Sequence, residues 1–350
     1  MTMPAPLHDD VLLEVRRLTK SFPIHGRGFV RKQIGEVRAV DQVSFSLRRG
    51  ETLGLVGESG SGKTTAVRCL LRALRPTAGE AWFSSRRGRV DLAALPDAAL
   101  KPLRQEMQMI FQDPFSSLNP RMTVGDIVAE PLVIHGLAGG VEREHRVTEM
   151  LRRVGLKPEH RERYPHAFSG GQRQRIGIAR ALIMRPSLVV ADEAVSALDV
   201  SVQAQVLNLL QDLQEEFQLT YLFVAHNLAV VRRFCHRVAV MYAGRLVELA
   251  PTAELFASPQ HPYTRALIAA VPQPDPDVAM GTGLDGEVAD PARLPAGCAF
   301  HPRCPDCRES CRQVRPVLRP TSAGRAVACD VYAPNEGRGS AEAALFPRSV

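Results

Sequence analysis

The chain has 350 residues, 45% hydrophobic and 23% charged, the balance of a soluble globular protein with room for two domains or one domain and an appendage. No run of eighteen apolar residues occurs, which excludes an ordinary transmembrane helix, and the opening MTMPAPLHDD has neither the basic start nor the apolar stretch of a secretory signal. A cytoplasmic address is therefore expected, where structural disulfides are disfavoured and the seven cysteines need another explanation. The net charge is +7, and seven arginines (293, 303, 308, 312, 315, 319 and 325) stand against Asp306 and Glu309 around the cysteines. Such a basic face suits nucleic acid, anionic lipid or an acidic partner, or is simply a solvated surface.

In chain order, segments 11–18 (VLLEVRRL) and 37–47 (VRAVDQVSFSL) carry the alternating, β-branched residues of strands, with a basic glycine-containing loop between them. ETLGLVG (51–57) is a short apolar strand ending in glycine, the pattern of a strand buried in a parallel sheet. A helix is expected from Lys63 to about Ala73, stopped near Pro76. Residues 115–165 have helical periodicity, clearest in VEREHRVTEMLRRVGL, and read as an inserted helical subdomain. SLVVADE (187–193) and TYLFVAH (220–226) are two further buried strands, each followed by a helical pattern, and this alternation predicts an α/β domain on a mainly parallel sheet. Prolines at 251, 259, 262, 272, 274 and 276 mark a change of regime, MGTGLDGEV reads as a linker, and NEGRGSAEAALFPRSV reads as a frayed tail. Cys69 and Cys235 fall in helical patterns and read as buried core.

GESGSGKT (57–64), between a predicted strand and helix, is a phosphate-binding loop. Its glycines let backbone N–H groups wrap phosphates that also face the positive end of the following helix. The nucleotide contacts expected are Gly57, Glu58, Ser59, Gly60, Ser61 and Gly62, with Lys63, Thr64 and Thr65 opening the helix. Lys63 reaches the β- and γ-phosphates, and the Thr64 hydroxyl ligates Mg²⁺. In SLVVADE the apolar strand delivers Asp192 to its end, where it can hold Mg²⁺ through water, and Glu193 next to it is the expected general base. FSGGQRQRIGIARAL (168–182) presents a second anion site, since Ser169, Gly170 and Gly171 expose N–H groups where a helix begins. One nucleotide has little use for both sites, whereas two chains docked head to tail would use one from each.

SGGQ lying between a phosphate loop and a D-E strand resembles the ATP-binding cassette (ABC) ATPases. The resemblance implies a phosphate-loop NTPase of the ABC type: a mainly parallel sheet with an antiparallel β subdomain, an inserted helical subdomain and a small Cys-rich C-terminal extension. Gln112 in MIFQDP resembles the Q-loop glutamine, which reads the γ-phosphate, ligates Mg²⁺ and touches the membrane subunit. Gln172 completes the SGGQ motif, Ser196 to Asp199 look like the D-loop, and His226 in VAHN resembles the switch histidine on the γ-phosphate. Phe22 occupies the place of the aromatic residue that stacks on adenine. FQDPFSSLNPRMTVGDIVAEPL, RYPHAFSGGQRQRIGIARAL, SALDVSVQAQVLNLL and HPYTRAL are similar to the ATPase subunits of oligopeptide and dipeptide importers, the second of the paired subunits in particular.

That likeness implies an ATP-binding domain at 10–255, an importer extension at 256–332 and a tail at 333–350. It further implies a second, different ATPase subunit, two membrane permease subunits, an extracytoplasmic substrate-binding protein, and a place on the cytoplasmic face of the membrane. No nucleic-acid partner is expected. The rival reading is a soluble ABC ATPase acting on nucleic acid or the ribosome; a third is an importer subunit with a weakly hydrolytic site. Ala194 stands where the family has proline and Asn227 where it has aspartate, and neither change removes a phosphate or metal contact. Cys298, Cys304, Cys311 and Cys329 fall at a spacing the importer family shows, which in some members holds a [4Fe–4S] cluster. Zinc also accepts four thiolates, free thiols remain a third reading, and Cys307 is an additional thiol that the resemblance leaves unexplained.

Overall fold

The structure, a computed structural model, describes residues 10–25, 33–271, 289–322 and 324–332. The linker read at MGTGLDGEV and the tail read from residue 335 lie outside the described residues. Contacts divide the chain into two units, Met1–Arg48 with Thr52–Ala94 and Ala225–Val350, and Arg49–Glu51 with Leu95–Val224.

The first unit contains an antiparallel sheet in which Val11–His25 pairs on one side with Gln33–Arg48 and on the other with Ala78–Ser85, followed by Gly88–Asp91. Leu13, Val15, Leu18, Val43, Phe45 and Leu47 bury its apolar face. Both long strands outrun the expected 11–18 and 37–47, because pairs such as Ser21↔Arg38 and Phe22↔Val37 supply ladder bonds that local composition does not announce. In a second sheet of this unit Thr52–Val56 runs parallel to Arg237–Tyr242, which pairs antiparallel with Arg245–Pro251. The C-terminal extension then adds Arg325–Val327 and Arg319–Ser322 to that edge, both antiparallel. A Cβ on Gly54 would lie 2.9 Å from the sulfur of Cys235, the residue that ends the helix Leu228–Phe234, so a larger residue there would force that side chain to shift. The phosphate-loop helix spans Lys63–Leu70 and stops short of Ala73. Cys69 and Cys235 are buried, as read.

The second unit has three parallel strands, Met107–Ile110, Leu188–Asp192 and Thr220–Ala225, in the register Ile110↔Ala191 and Asp192↔Val224. The helical stretch read at 115–165 resolves into Val124–His135 and Gly140–Arg153, followed by two short 3₁₀ turns. Thr123 caps the first by accepting the Asp126 N–H, and Gly136 in the left-handed region ends it. Gly170–Leu182 and Val200–Phe217 complete the layer on the strands. Among the described residues, no helix is long and apolar enough to cross a membrane.

Candidate functional site

The phosphate loop is built by three glycines with positive φ, +151° at Gly57, +79° at Gly60 and +100° at Gly62. A Cβ on Gly57 would fall 2.1 Å from the Met241 carbonyl oxygen, and one on Gly62 would fall 2.1 Å from that of Ala39. Neither position admits a side chain. Gly62 is the N-cap of Lys63–Leu70, with no side-chain cap and no acidic residue in the first turn, so the positive end of this helix is not neutralised by a side chain of its own first turn. Ser59 and Gly60 are exposed at the tip, whereas Ser61 and Lys63 are buried. Lys63 Nζ donates to the carbonyls of Gly57 (2.7 Å) and Glu58 (2.8 Å) and to Ser61 Oγ (3.3 Å), which keeps its charge inside the loop. Thr64 and Thr65 open the helix, both partly buried.

In the second unit the strand Leu188–Asp192 is buried throughout and ends on Asp192. Glu193 follows with φ +49°, a left-handed conformation that a non-glycine residue adopts only when its surroundings enforce it. Its N–H donates to the Val224 carbonyl (2.9 Å), and its own carbonyl accepts from the N–H (3.0 Å) and hydroxyl (2.9 Å) of Ser196. This bend turns the carboxylate out of the strand, where Gln112 Nε2 donates to Glu193 Oε2 at 2.7 Å. Two residues 81 positions apart that the sequence reading selected separately thus touch. Ala194, in place of the family's proline, is buried in the turn.

The SGGQ segment starts the helix Gly170–Leu182. Ser169 Oγ accepts from Gln172 N–H (3.3 Å) while Gln172 Oε1 accepts from Ser169 N–H (3.1 Å), a reciprocal capping box. Gly171 lies so close to the next helix that its Cβ would meet Val202 Cγ1 at 2.4 Å, and Gly170 has more room, with its nearest neighbour at 3.8 Å. Asp199 is the exposed N-cap of Val200–Phe217 and makes no side-chain cap. His226 is exposed at the end of Thr220–Ala225, and Asn227 after it caps Leu228–Phe234 by accepting the Ala229 N–H at 2.9 Å. Phe22 is 37% exposed, with Lys20 Nζ 5.0 Å from its ring centroid, so it is not a core residue.

The five C-terminal cysteines are all partly buried and none forms a disulfide. Among the described residues, no three His, Cys, Asp or Glu side chains gather in an arrangement that could hold a metal. Burial pushes the Cys298 thiol up to about 11, with help from Cys311 and Cys329, and pushes the Cys304 thiol up to about 12, with help from Cys298. The Cys329 thiol is raised by burial and by Cys311. The four thus share one neighbourhood. Cys311 Sγ accepts the Arg308 N–H at 3.5 Å, and the Cys307 thiol donates to the Arg308 carbonyl at 3.6 Å.

Two residues that sequence reasoning did not select touch the phosphate loop from the extension. Tyr263 Oη accepts the Glu58 N–H at 2.8 Å, and Arg303 grips the Glu58 carboxylate through Nη1 (2.8 Å) and Nη2 (3.1 Å). Tyr263 belongs to HPYTRAL, a motif noticed only for its likeness, and nothing local marks Arg303 among so many arginines.

Comparison with known proteins covers nearly the whole chain. Residues 40–196 match the ABC transporter family and residues 247–311 the C-terminal region of oligopeptide/dipeptide transporters. A probable peptide ABC transporter ATP-binding protein of Sinorhizobium fredii is 53% identical over 326 residues, 93% of this chain and 91% of that protein. An oligopeptide transport ATP-binding protein of Bacillus subtilis is 48% identical over 334 residues, 93% of this chain and 98% of its own length. Among solved structures, the dimeric post-hydrolysis state of the cassette MJ0796, bound to ADP and Pi, has a TM-score of 0.60 at 29% identity, covering 69% of this chain and 99% of that one.

Proposed function

The chain belongs to the ABC transporter family, among the ATP-binding subunits of oligopeptide and dipeptide transporters, and from that premise we propose how its residues share the work. It is an ATPase that energises a peptide importer. The phosphate loop takes the β- and γ-phosphates on its N–H groups, and Lys63 turns to them from the carbonyls of Gly57 and Glu58. Mg²⁺, when bound, neutralises charge developing on the phosphate oxygens, and Thr64, Gln112 and Asp192 are the residues suited to hold it. Glu193 takes a proton from the attacking water as its oxygen bonds to the γ-phosphorus; the bridging P–O bond breaks, leaving ADP and phosphate. His226 supports the γ-phosphate and Phe22 stacks on adenine.

Ser169, Gly170, Gly171, Gln172 and Asp199 serve the nucleotide of a second ATPase subunit docked head to tail. That subunit is a different, paired chain by resemblance. Two membrane permeases and an extracytoplasmic binding protein complete the importer, with this chain on the cytoplasmic face. Phe111 and Phe115, 46% and 59% exposed on either side of Gln112, favour the Q-loop as the surface that meets a permease. Cys298, Cys304, Cys311 and Cys329 are the residues that would hold an iron–sulfur cluster, or zinc, once their protons are released. Iron with acid-labile sulfide in anaerobically purified protein supports the cluster; stoichiometric zinc without iron, or neither, sinks it.

The observation that carries the hydrolytic reading is the 2.7 Å bond from Gln112 to Glu193, which joins the γ-phosphate reader to the base. Glu193→Gln should lower ATP hydrolysis about 100-fold or more while ATP binding persists. Hydrolysis at the parent rate would dismiss Glu193 as the base.

A further inference from the structure

We infer that Tyr263 and Arg303, both from the C-terminal extension, are positioning residues that hold the phosphate loop in its phosphate-binding shape. The inference rests on the ATP-binding role of that loop given above.

A loop with glycines at 57, 60 and 62 is soft, and holding it costs conformational entropy that its neighbours must offset. Its tip is open, with nothing within 4 Å of a Cβ built on Gly60, so the restraint has to act at the base. Glu58 is that base. Its N–H goes to Tyr263 Oη, its carbonyl to Lys63 Nζ, and its carboxylate to the fork of Arg303. Two of these restraints come from residues more than 200 positions away.

The local sequence of the extension explains how those two groups are aimed. His261 Nδ1 accepts the Tyr263 N–H at 3.1 Å as the N-cap of Pro262–Ala269, and Pro262 supplies the fixed φ that suits a first helical position. The buried Glu248 carboxylate accepts the His261 N–H at 2.8 Å and anchors the cap. Phe300 packs 5.4 Å from the rings of both Tyr242 and Tyr263, and three residues later Arg303 leaves that aromatic wall with its side chain 5% exposed. The His-Pro-Tyr motif is thus the device that seats a hydroxyl on the phosphate loop. Arg303 also offsets a negative charge that would otherwise stand beside the phosphates of the nucleotide. A shielded, bidentate pair holds geometry far better than a surface ion pair does.

The test is titration of full-length protein with Mg-ATP, paired with KM and kcat for ATP in the assembled transporter. Arg303→Ala should weaken ATP about 10-fold, the loss of one charge-assisted pair, and raise KM as much while kcat stays within about 2-fold. Arg303→Lys keeps the charge but not the fork and should lose about 3-fold, as should Tyr263→Phe, which deletes one oxygen. Arg319→Ala, which breaks an ion pair to Asp330 elsewhere in the extension, should stay within about 2-fold. If Arg303→Ala does not fold, Tyr263→Phe decides. Parent-like affinity in Tyr263→Phe and Arg303→Ala overturns the inference, as does an equal loss in Arg319→Ala. A parent that binds no ATP overturns the ATP-site reading itself, which separates the two failures.

Discussion

Two helix starts that look alike in sequence, GSGKT at residue 60 and SGGQR at residue 169, are built in opposite ways. The helix Lys63–Leu70 begins on a left-handed glycine with no side-chain cap. The helix Gly170–Leu182 begins on a completed capping box, with Ser169 and Gln172 each satisfying the other's N–H. The first start is therefore open to a ligand in a way the second, closed by its own side chains, is not. Two further starts are also closed, Pro262–Ala269 by His261 and Leu228–Phe234 by Asn227.

The largest contrast should appear on adding one methyl group to each helix start. In Gly62→Ala the new Cβ would sit 2.1 Å from the Ala39 carbonyl at a φ of +100°, so the loop must rearrange, and ATP affinity should fall about 100-fold. In Gly170→Ala the nearest atoms are 3.8 Å away, so thermal stability and ATP binding by the chain alone should stay near the parent values. Calorimetric titration measures both, and equal losses in the two variants would erase the distinction between an open and a self-capped start.

The cap of Pro262–Ala269 is an acceptor that acid can remove. Burial, aided by the charge of Arg265, holds the His261 imidazole down to about 3, against 6.5 for an ordinary histidine. Between those values the unfolded chain binds the extra proton, so the stabilisation is fully present above pH 6.5 and is lost as pH falls toward 3. The slope should approach about 1.4 kcal/mol per pH unit, or about 2 kcal/mol by pH 5. His261→Asn keeps a capping acceptor without titrating there, so urea unfolding across this range should show a flatter profile in the variant. Parallel profiles would remove His261 as the cause.

How much of this was legible beforehand depended on the range of the interaction. The phosphate loop and Asp192 could be read because their constraints are local: glycines at fixed offsets, a lysine and threonine after them, an apolar strand ending in a carboxylate. The SGGQ cap is equally local, since S-x-x-Q is a capping box in sequence and its reciprocal bonds span only three residues. Contacts of Glu58 with Tyr263 and Arg303 were not legible, because nothing in either segment indicates that 200 residues of chain fold back to bring them together. Cysteine spacing gave the proximity of Cys298, Cys304, Cys311 and Cys329, because they lie close together along one short segment.

A smaller effect should follow from opening the self-capped start. Ser169→Ala removes the cap on Gln172 N–H and should destabilise the second unit by about 1 kcal/mol. ATP binding by the chain alone should not change, because its own phosphate loop is untouched. On the role proposed for Ser169 at the partner's nucleotide, hydrolysis in the assembled transporter should fall about 5-fold. A loss of ATP affinity in the single chain, measured by titration, would contradict the assignment of this serine to the opposite site.

The smallest change concerns the start after His226, where this chain has Asn227 in place of the family's aspartate. Asn227 Oδ1 already accepts the Ala229 N–H at 2.9 Å, and an aspartate oxygen can make the same bond. Asn227→Asp therefore adds only a negative charge at a helix N-terminus, which favours it by about 0.5 kcal/mol at an exposed position. The variant should unfold at slightly higher denaturant, with hydrolysis within about 3-fold of the parent, because the capping geometry that orients the adjoining His226 backbone is unchanged. A gain in hydrolysis of tenfold or more would mean that the aspartate acts on the chemistry through its charge and that Asn227 holds this subunit below its capacity.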